Sequence, residues 1–142
     1  MLRIEGLTAA YDGPPALSNV SLHVEKGEIL GLLGANNSGK STLINCISGL
    51  VRPLAGRISF EGTDITRLKP HERVASGIVQ VPEGRQVFPK MSVIENLLLG
   101  GTSRAARLQR GTRLDQVLAL FPRLARERSA AASNKCWRSD AR

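Results

Sequence analysis

Aromatic residues are scarce in this sequence, which holds three phenylalanines, one tyrosine and one tryptophan among 142 residues. Positive charge is abundant but uneven: residues 1–100 hold ten Lys or Arg against nine Asp or Glu, whereas residues 101–142 hold ten against three. A basic segment can indicate a nucleic-acid or anionic-membrane partner. Because these arginines lack the aromatic residues that stack on bases, we predict no nucleic-acid partner.

Long apolar runs are absent and cysteine is rare. No run could span a bilayer, and the first residues do not resemble a secretory signal. We therefore predict a cytoplasmic protein that reaches a membrane only through a partner. Cys46, Cys136, His23 and His71 lack metal-type spacing, so we expect reduced cysteines and solvated histidines rather than ligands. Hydrophobic residues at 42% indicate one modest globular domain.

A glycine-bounded segment, residues 34–42, carries the strongest functional signal. It satisfies G-x-x-x-x-G-K-[ST], the phosphate-binding P-loop. The apolar run 29–33 before it predicts a buried strand, and Leu43, Ile44 and Ile47 after it predict a helix with one buried face. Strand, loop and helix together are the context that confirms this motif.

Each residue type in the loop suits a triphosphate. The glycines let the backbone come close, and the amides of the loop and helix start point at the anion. Lys40 adds a positive charge for the β- and γ-phosphates, and the Ser41 hydroxyl is placed to bind Mg²⁺. Asn37 stands where related loops commonly have glycine, and asparagine tolerates the left-handed conformation. A glycine-rich turn with an incidental lysine is the alternative. The predicted nucleotide-binding residues of the loop are Gly34, Ala35, Asn36, Asn37, Ser38, Gly39, Lys40, Ser41 and Thr42.

Alternating apolar residues and turn residues predict the other elements of the first half. Strands are expected at 2–7, 16–24 and 57–61. A short helix should begin at Pro70 and end at Gly77, because proline fits the first helical turn.

The second half is predicted to be mainly helical. Residues 78–82 read as a core strand, and the capping-box pattern at 92–95 opens a helix through Leu99. An amphipathic stretch follows within 108–124. Residues 129–142 lose this periodicity and predict a polar, structureless tail.

Residues 1–124 resemble the ATP-binding subunits of ABC transporters. The segment 81–97, Val-Pro-Glu-Gly-Arg-Gln-Val-Phe-Pro-Lys-Met-Ser-Val-Ile-Glu-Asn-Leu, resembles the subgroup that serves branched-chain amino acid importers, as does Leu-Phe-Pro-Arg-Leu at 120–124. Besides these segments and the P-loop, the likeness is carried by residues 16–22, 27–29, 47–50, Pro53 and 56–58.

The resemblance implies ATP and Mg²⁺ as ligands and assigns two further residues. Tyr11 would stack on the adenine, a contact that contributes about 1–3 kcal/mol in other nucleotide sites; a plain strand-end tyrosine is the alternative. Glu83 stands where the family usually has a glutamine near Mg²⁺, and a carboxylate can serve a hard cation; a surface glutamate is the alternative. Ser41 and Glu83 are therefore the predicted metal residues.

The implied fold is α/β: a P-loop NTPase of the ABC nucleotide-binding type, incomplete, with an antiparallel β subdomain. Residues 1–124 would form the N-terminal part of that domain. Parallel sheets normally bury both faces. Since the later strands of the domain would be missing, we expect uncovered apolar faces and a marginal, aggregation-prone protein.

The family completes its site with an LSGGQ-type helix start, a strand ending in Asp-Glu and a later histidine, and none of these occurs in this sequence. His71 stands too early to replace that histidine. Residues 125–142 can be translated back to codons and read again with each new codon starting at the third base of the old one. That shifted frame can encode Ala-Gly-Thr-Leu-Ser-Gly-Gly-Glu-Gln-Gln, which contains the missing family signature, and the helix after it. We interpret 125–142 as a frameshifted, disordered tail, and incompatible codons in the coding DNA would contradict this.

The implied function is that of an ATP-binding subunit that couples MgATP binding and hydrolysis to branched-chain amino acid uptake. It would pair with a second ATP-binding subunit and with transmembrane permease subunits at the inner face of the cell membrane. For this chain we expect no ATP turnover above background, because the group that would activate water is missing. Two alternatives stay open: a non-catalytic nucleotide-binding fragment, and a soluble ABC protein acting on nucleic acid or ribosomes. ATP turnover and co-purification with a permease would separate these functions.

Overall fold

The computed structural model describes residues 1–84, 86–101 and 104–132. The chain divides into two compact units, Met1–Gln80 (unit 1) and Val81–Arg142 (unit 2). Within the described ranges, no helix has both the length and the apolar content needed to cross a bilayer.

Unit 1 is built on a four-stranded antiparallel sheet. The inner strand β1 (Leu2–Ala9) is paired on both sides, so that Ile4 lies opposite Leu22 of one neighbouring strand and Ile58 of the other. The predicted antiparallel β region is therefore confirmed. In spatial order the strands are β2 (Leu17–Val24), β1 (Leu2–Ala9), β3 (Ala55–Phe60) and β4 (Thr63–Asp64).

The core of unit 1 lies between the sheet and helix α1 (Lys40–Ser48). Leu43 and Cys46 of α1 are buried against apolar residues of the strands. Ile44 was predicted to share this buried face, but its side chain is 36% exposed. The prediction is wrong for Ile44 because each residue is turned by about 100° from the one before, which carries Ile44 away from the sheet. The buried apolar side chains of this core are Ile4, Leu7, Ala9, Leu17, Leu43, Cys46, Ile58 and Ile65.

Arg73, in helix α2 (Pro70–Ala75), is a buried charge of unit 1, with 1% of its surface exposed. Its guanidinium donates to the carbonyls of Cys46 and Ile47 at the end of α1, and to those of Thr66 and Leu68. Desolvation lowers the pKa of Arg73, yet an arginine stays charged at neutral pH. The residue therefore ties α2 and the segment after β4 to the C-terminal end of α1, where the helix dipole favours a cation.

Unit 2 is helical. The Ser92 hydroxyl accepts from the Glu95 amide, and the Glu95 carboxylate accepts from the Ser92 amide and hydroxyl, so the predicted capping box is present. These bonds hold the pKa of Glu95 below its usual value. The amphipathic stretch predicted within 108–124 forms two helices, because Pro122 favours a helix start and disfavours the α conformation of Phe121 before it. The helices are α3 (Val93–Leu99), α4 (Arg104–Leu108), α5 (Arg110–Leu120) and α6 (Pro122–Arg126).

The chain after α6 returns to the start of α3. The amides of Val93 and Ile94, which have no acceptor within their own helix, donate to the carbonyls of Ala130 and Arg128 at 3.0 Å each. Ala132 is buried. This part of the predicted structureless tail is therefore structured, because it satisfies the free amides of α3. The rest of that tail lies outside the described residues.

Two segments predicted as core strands, 29–33 and 78–82, pair with no strand among the described residues. Several of their apolar side chains are open to solvent, with Ile29 97%, Leu33 96% and Val81 89% exposed, whereas Leu32 and Ile78 pack partly buried against the core. These two strand predictions are wrong, because an apolar run shows that a segment suits burial, whereas a strand also needs a neighbour to bond its backbone. The described residues form no parallel sheet, so the expected uncovered faces of such a sheet and the expected aggregation stay predictions.

Replacing Arg73 by alanine should lower the free energy of unfolding by about 3 kcal/mol, because four carbonyls would lose a charged donor. Urea unfolding followed by far-UV circular dichroism measures the change. The matched control is Arg52→Ala, which removes an exposed arginine and should change the same quantity by less than about 0.5 kcal/mol. Equal losses in the two variants would show that Arg73 does not hold α1 in place.

Candidate functional site

The P-loop passes into α1 through Gly39, whose backbone is left-handed, with φ 90°. A Cβ atom at this position would lie 2.6 Å from the carbonyl oxygen of Ala16 and 2.7 Å from the side chain of Leu17. No side chain fits at those distances. The loop is therefore seated directly against the start of β2, and this contact fixes where α1 begins.

The ammonium group of Lys40 is folded back into the loop. Its Nζ donates to the carbonyl oxygens of Gly34 at 2.7 Å and Ala35 at 2.6 Å, and to the Ser38 hydroxyl at 3.3 Å. A positive charge thus lies on the inside of the loop among neutral partners. A charged oxygen entering the loop would be a stronger acceptor than any of these three.

The first amides of α1 are free of intrahelical partners. Gly39 is the N-cap and makes no side-chain capping bond. The first amide to reach a carbonyl of the helix is that of Leu43, which donates to Gly39 at 2.9 Å. The amides of Lys40, Ser41 and Thr42 come before it, at the positive end of the helix dipole. This arrangement binds anions in general.

The backbone at Asn37 and the exposure of Ser41 both agree with the predicted loop. Asn37 has φ 65°, the left-handed conformation expected of it. The Ser38 amide next to it donates to the Ala35 carbonyl at 3.3 Å and closes a turn. The Ser41 side chain is exposed, whereas Thr42 is 6% exposed, so Thr42 can offer a ligand its backbone amide rather than its hydroxyl.

Tyr11 lies just after β1, with 59% of its surface exposed. Its hydroxyl accepts a hydrogen bond from Asn45 Nδ2 at 3.4 Å, and Asn45 Oδ1 accepts from Gln80 Nε2 at 3.2 Å. Tyr11 is thus connected to α1, five residues after Lys40. The sequence reasoning did not find Asn45 or Gln80. The available signal was a polar residue beside the buried face of α1.

The two residues predicted to bind a metal are in different units. Ser41 belongs to unit 1 and Glu83 to unit 2, so their pairing stays a prediction. Over the described part of the chain, no three His, Cys, Asp or Glu side chains form a group that could hold a metal ion.

The cysteines and histidines contribute no chemistry to this site. His23 and His71 are exposed. Cys46 is fully buried, and burial raises the pKa of its thiol, which therefore remains protonated and unreactive. Cys136 lies outside the described residues.

Comparison with known protein families decides what kind of P-loop this is. The sequence model of the ABC transporter family matches residues 17–136. The chain belongs to the ABC transporter family. The match extends beyond residue 124, where the resemblance read from the sequence ends.

Several curated ABC proteins are similar to this chain. It is 40% identical over 124 residues to the high-affinity branched-chain amino acid transport ATP-binding protein BraG of Pseudomonas aeruginosa, covering 87% of this chain and 53% of BraG. It is 42% identical over 108 residues to a probable branched-chain amino acid transport ATP-binding protein, LivG, of Archaeoglobus fulgidus, covering 76% and 42%. The putrescine transport ATP-binding protein PotG of Escherichia coli is 36% identical over 121 residues, covering 84% and 31%. The chain thus spans about half the length of these relatives or less.

Solved structures agree with the family and establish the fold. A nucleotide-free ATP-binding cassette from an ABC transporter superposes with a TM-score of 0.77 at 33% identity, covering 94% of this chain and 58% of that one. The ADP conformation of an ABC transporter cassette gives 0.71 at 32% identity, with the same coverage. The predicted α/β P-loop NTPase fold of the ABC type is confirmed.

Replacing Gly39 by alanine should destabilise this ABC-family chain by about 2 kcal/mol, because the new Cβ would strain a left-handed backbone and press on Ala16. Gly13→Ala is the matched control, since a Cβ there would meet nothing within 4 Å. Both free energies of unfolding come from urea titration. A Gly39→Ala protein as stable as the Gly13→Ala protein would contradict the seating of the loop on β2.

Proposed function

We propose that this chain is the nucleotide-binding part of an ATP-binding subunit of an ABC importer, and that residues 34–42 bind the phosphates of MgATP. The observation that carries the proposal is the convergence of the Lys40 ammonium and the free amides of the α1 start on one loop. Polyphosphate is the ligand whose charge and oxygen density suit such a donor set.

The loop also offers an oxygen ligand for a magnesium ion bound with the nucleotide. Ser41 offers an exposed hydroxyl beside the phosphate-binding amides, which is the kind of hard oxygen ligand that Mg²⁺ takes. Magnesium neutralises the charge that develops on the phosphates. Glu83 is the second predicted ligand, and it rests on the family resemblance alone.

Tyr11 is proposed to contact the base. The residue is 59% exposed, and its hydroxyl is held to the same helix whose start forms the proposed phosphate site. An exposed aromatic ring at this place can stack on adenine, and stacking tolerates any base. The phosphates would then supply most of the selectivity for nucleotides, and the ring would add affinity.

Branched-chain amino acids are the proposed solute. The similarity to BraG and LivG supports this choice, as does the likeness of segment 81–97 to that subgroup. PotG, named for putrescine, is similar as well, so the support for an importer is broader than the support for one solute. Transmembrane permease subunits and a second ATP-binding subunit are the proposed partners, at the inner face of the cell membrane.

We further propose that residues 125–142 are read out of frame and that the 142-residue chain binds nucleotide without turning it over. Codons that cannot encode the family signature in the shifted frame would exclude the frameshift. ATP hydrolysis above background by the purified chain would exclude the non-catalytic fragment as its function.

Replacing Lys40 by alanine should weaken MgATP binding by about tenfold to a hundredfold, because the phosphates would lose a charged hydrogen-bond donor. Isothermal titration calorimetry measures the dissociation constant. Lys26→Ala is the control, since Lys26 is exposed in the turn after β2 and should leave binding unchanged. The proposal fails if both variants bind MgATP as the parent does, or if the folded parent does not bind it.

A further inference from the structure

Three side chains of unit 1 form a hydrogen-bonded row that ends at an exposed ring. Gln80 Nε2 donates to Asn45 Oδ1 at 3.2 Å, and Asn45 Nδ2 donates to the Tyr11 hydroxyl at 3.4 Å. Asn45 itself is firmly placed, because its backbone carbonyl accepts from the amides of Leu50 and Val51 at 2.9 and 3.1 Å. The row therefore starts from a fixed point on α1.

Both ends of the Asn45 side-chain amide are hydrogen-bonded in this row. An asparagine side chain has one acceptor end and one donor end. Gln80 occupies the acceptor end, which turns the donor end of Asn45 toward Tyr11. A phenol hydroxyl can donate as well as accept, so Tyr11 can bond to Asn45 in either orientation of the amide. Gln80 adds a second point at which the Asn45 side chain is held.

The exposure of Tyr11 gives this hydrogen bond its importance. The residue stands in the connection between β1 and β2, and more than half of its surface is exposed. An exposed ring that stacks on a ligand loses rotational freedom on binding, and that loss reduces affinity. A ring already held by a hydrogen bond loses less.

We propose that Asn45, which is also hydrogen-bonded to Gln80, is a positioning residue that fixes the ring of Tyr11 for contact with the base of the bound nucleotide. The inference rests on the proposed function of the P-loop. It adds a residue that acts on binding of the base and not on binding of the phosphates. The hydrogen bond would strengthen binding of nucleotides but not of ligands that lack a base.

Comparing MgATP with magnesium tripolyphosphate, which has the phosphates but no base, tests this inference by calorimetry. Asn45→Ala should weaken MgATP binding about fivefold, the effect of losing one neutral hydrogen bond, and leave tripolyphosphate binding unchanged. Tyr11→Phe should behave in the same way, and the double variant should lose no more than either single one, because all three lack the same bond. Ser48→Ala is the control, since Ser48 bonds only within α1 among the bonds described for it.

The outcomes separate this inference from the proposed function. Equal losses for both ligands in Asn45→Ala would mean a distorted α1 and would overturn the inference, as would fully additive effects of Asn45→Ala and Tyr11→Phe. An unchanged MgATP affinity in Asn45→Ala would overturn it as well, while Lys40→Ala could still weaken both ligands and support the P-loop. If the folded parent bound neither ligand, the proposed function would fall, and the inference with it.

Discussion

Helix α1 is fixed at both ends, and the proposed phosphate site depends on this. At its N-terminal end, Gly39 is pressed against Ala16 of the chain entering β2, so that no side chain fits there. At its C-terminal end, the buried guanidinium of Arg73 binds the carbonyls of Cys46 and Ile47. Both contacts tie the helix to the antiparallel sheet and its following segment. The free amides of α1 can therefore point in a constant direction without a ligand present.

The electrostatics of the loop follow from that seating. Lys40 lies at the first helical position, and its side chain returns over the loop to the carbonyls of Gly34 and Ala35. A cation and several unbonded amides thus share one small concave surface. Neutral partners hold the lysine in place, and they are weak enough to be exchanged for phosphate oxygens. Membership of the ABC transporter family gives this arrangement its proposed role in binding MgATP.

Features encoded in consecutive residues could be predicted from the sequence, whereas features made by distant residues could not. Helix α1 and the capping box at Ser92 depend on local spacing and were confirmed. The segment 29–33 has the composition of a buried strand, yet its pairing depends on a neighbouring strand that composition does not reveal. Arg73 was overlooked because its four acceptors are backbone carbonyls, which leave no mark in the sequence. Asn45 was overlooked for a similar reason, since its partners lie far along the chain.

The central claim is that the amides at the start of α1 bind polyphosphate. Amide proton and nitrogen NMR shifts, followed residue by residue during titration with MgATP, test it most directly. The account predicts the largest shifts at residues 39–42. Shifts should be small along β3 and β4, because the loop contacts the start of β2 and these strands lie beyond β1 from it. Shifts spread evenly over the chain, or none at residues 39–42 while MgATP binds, would contradict it.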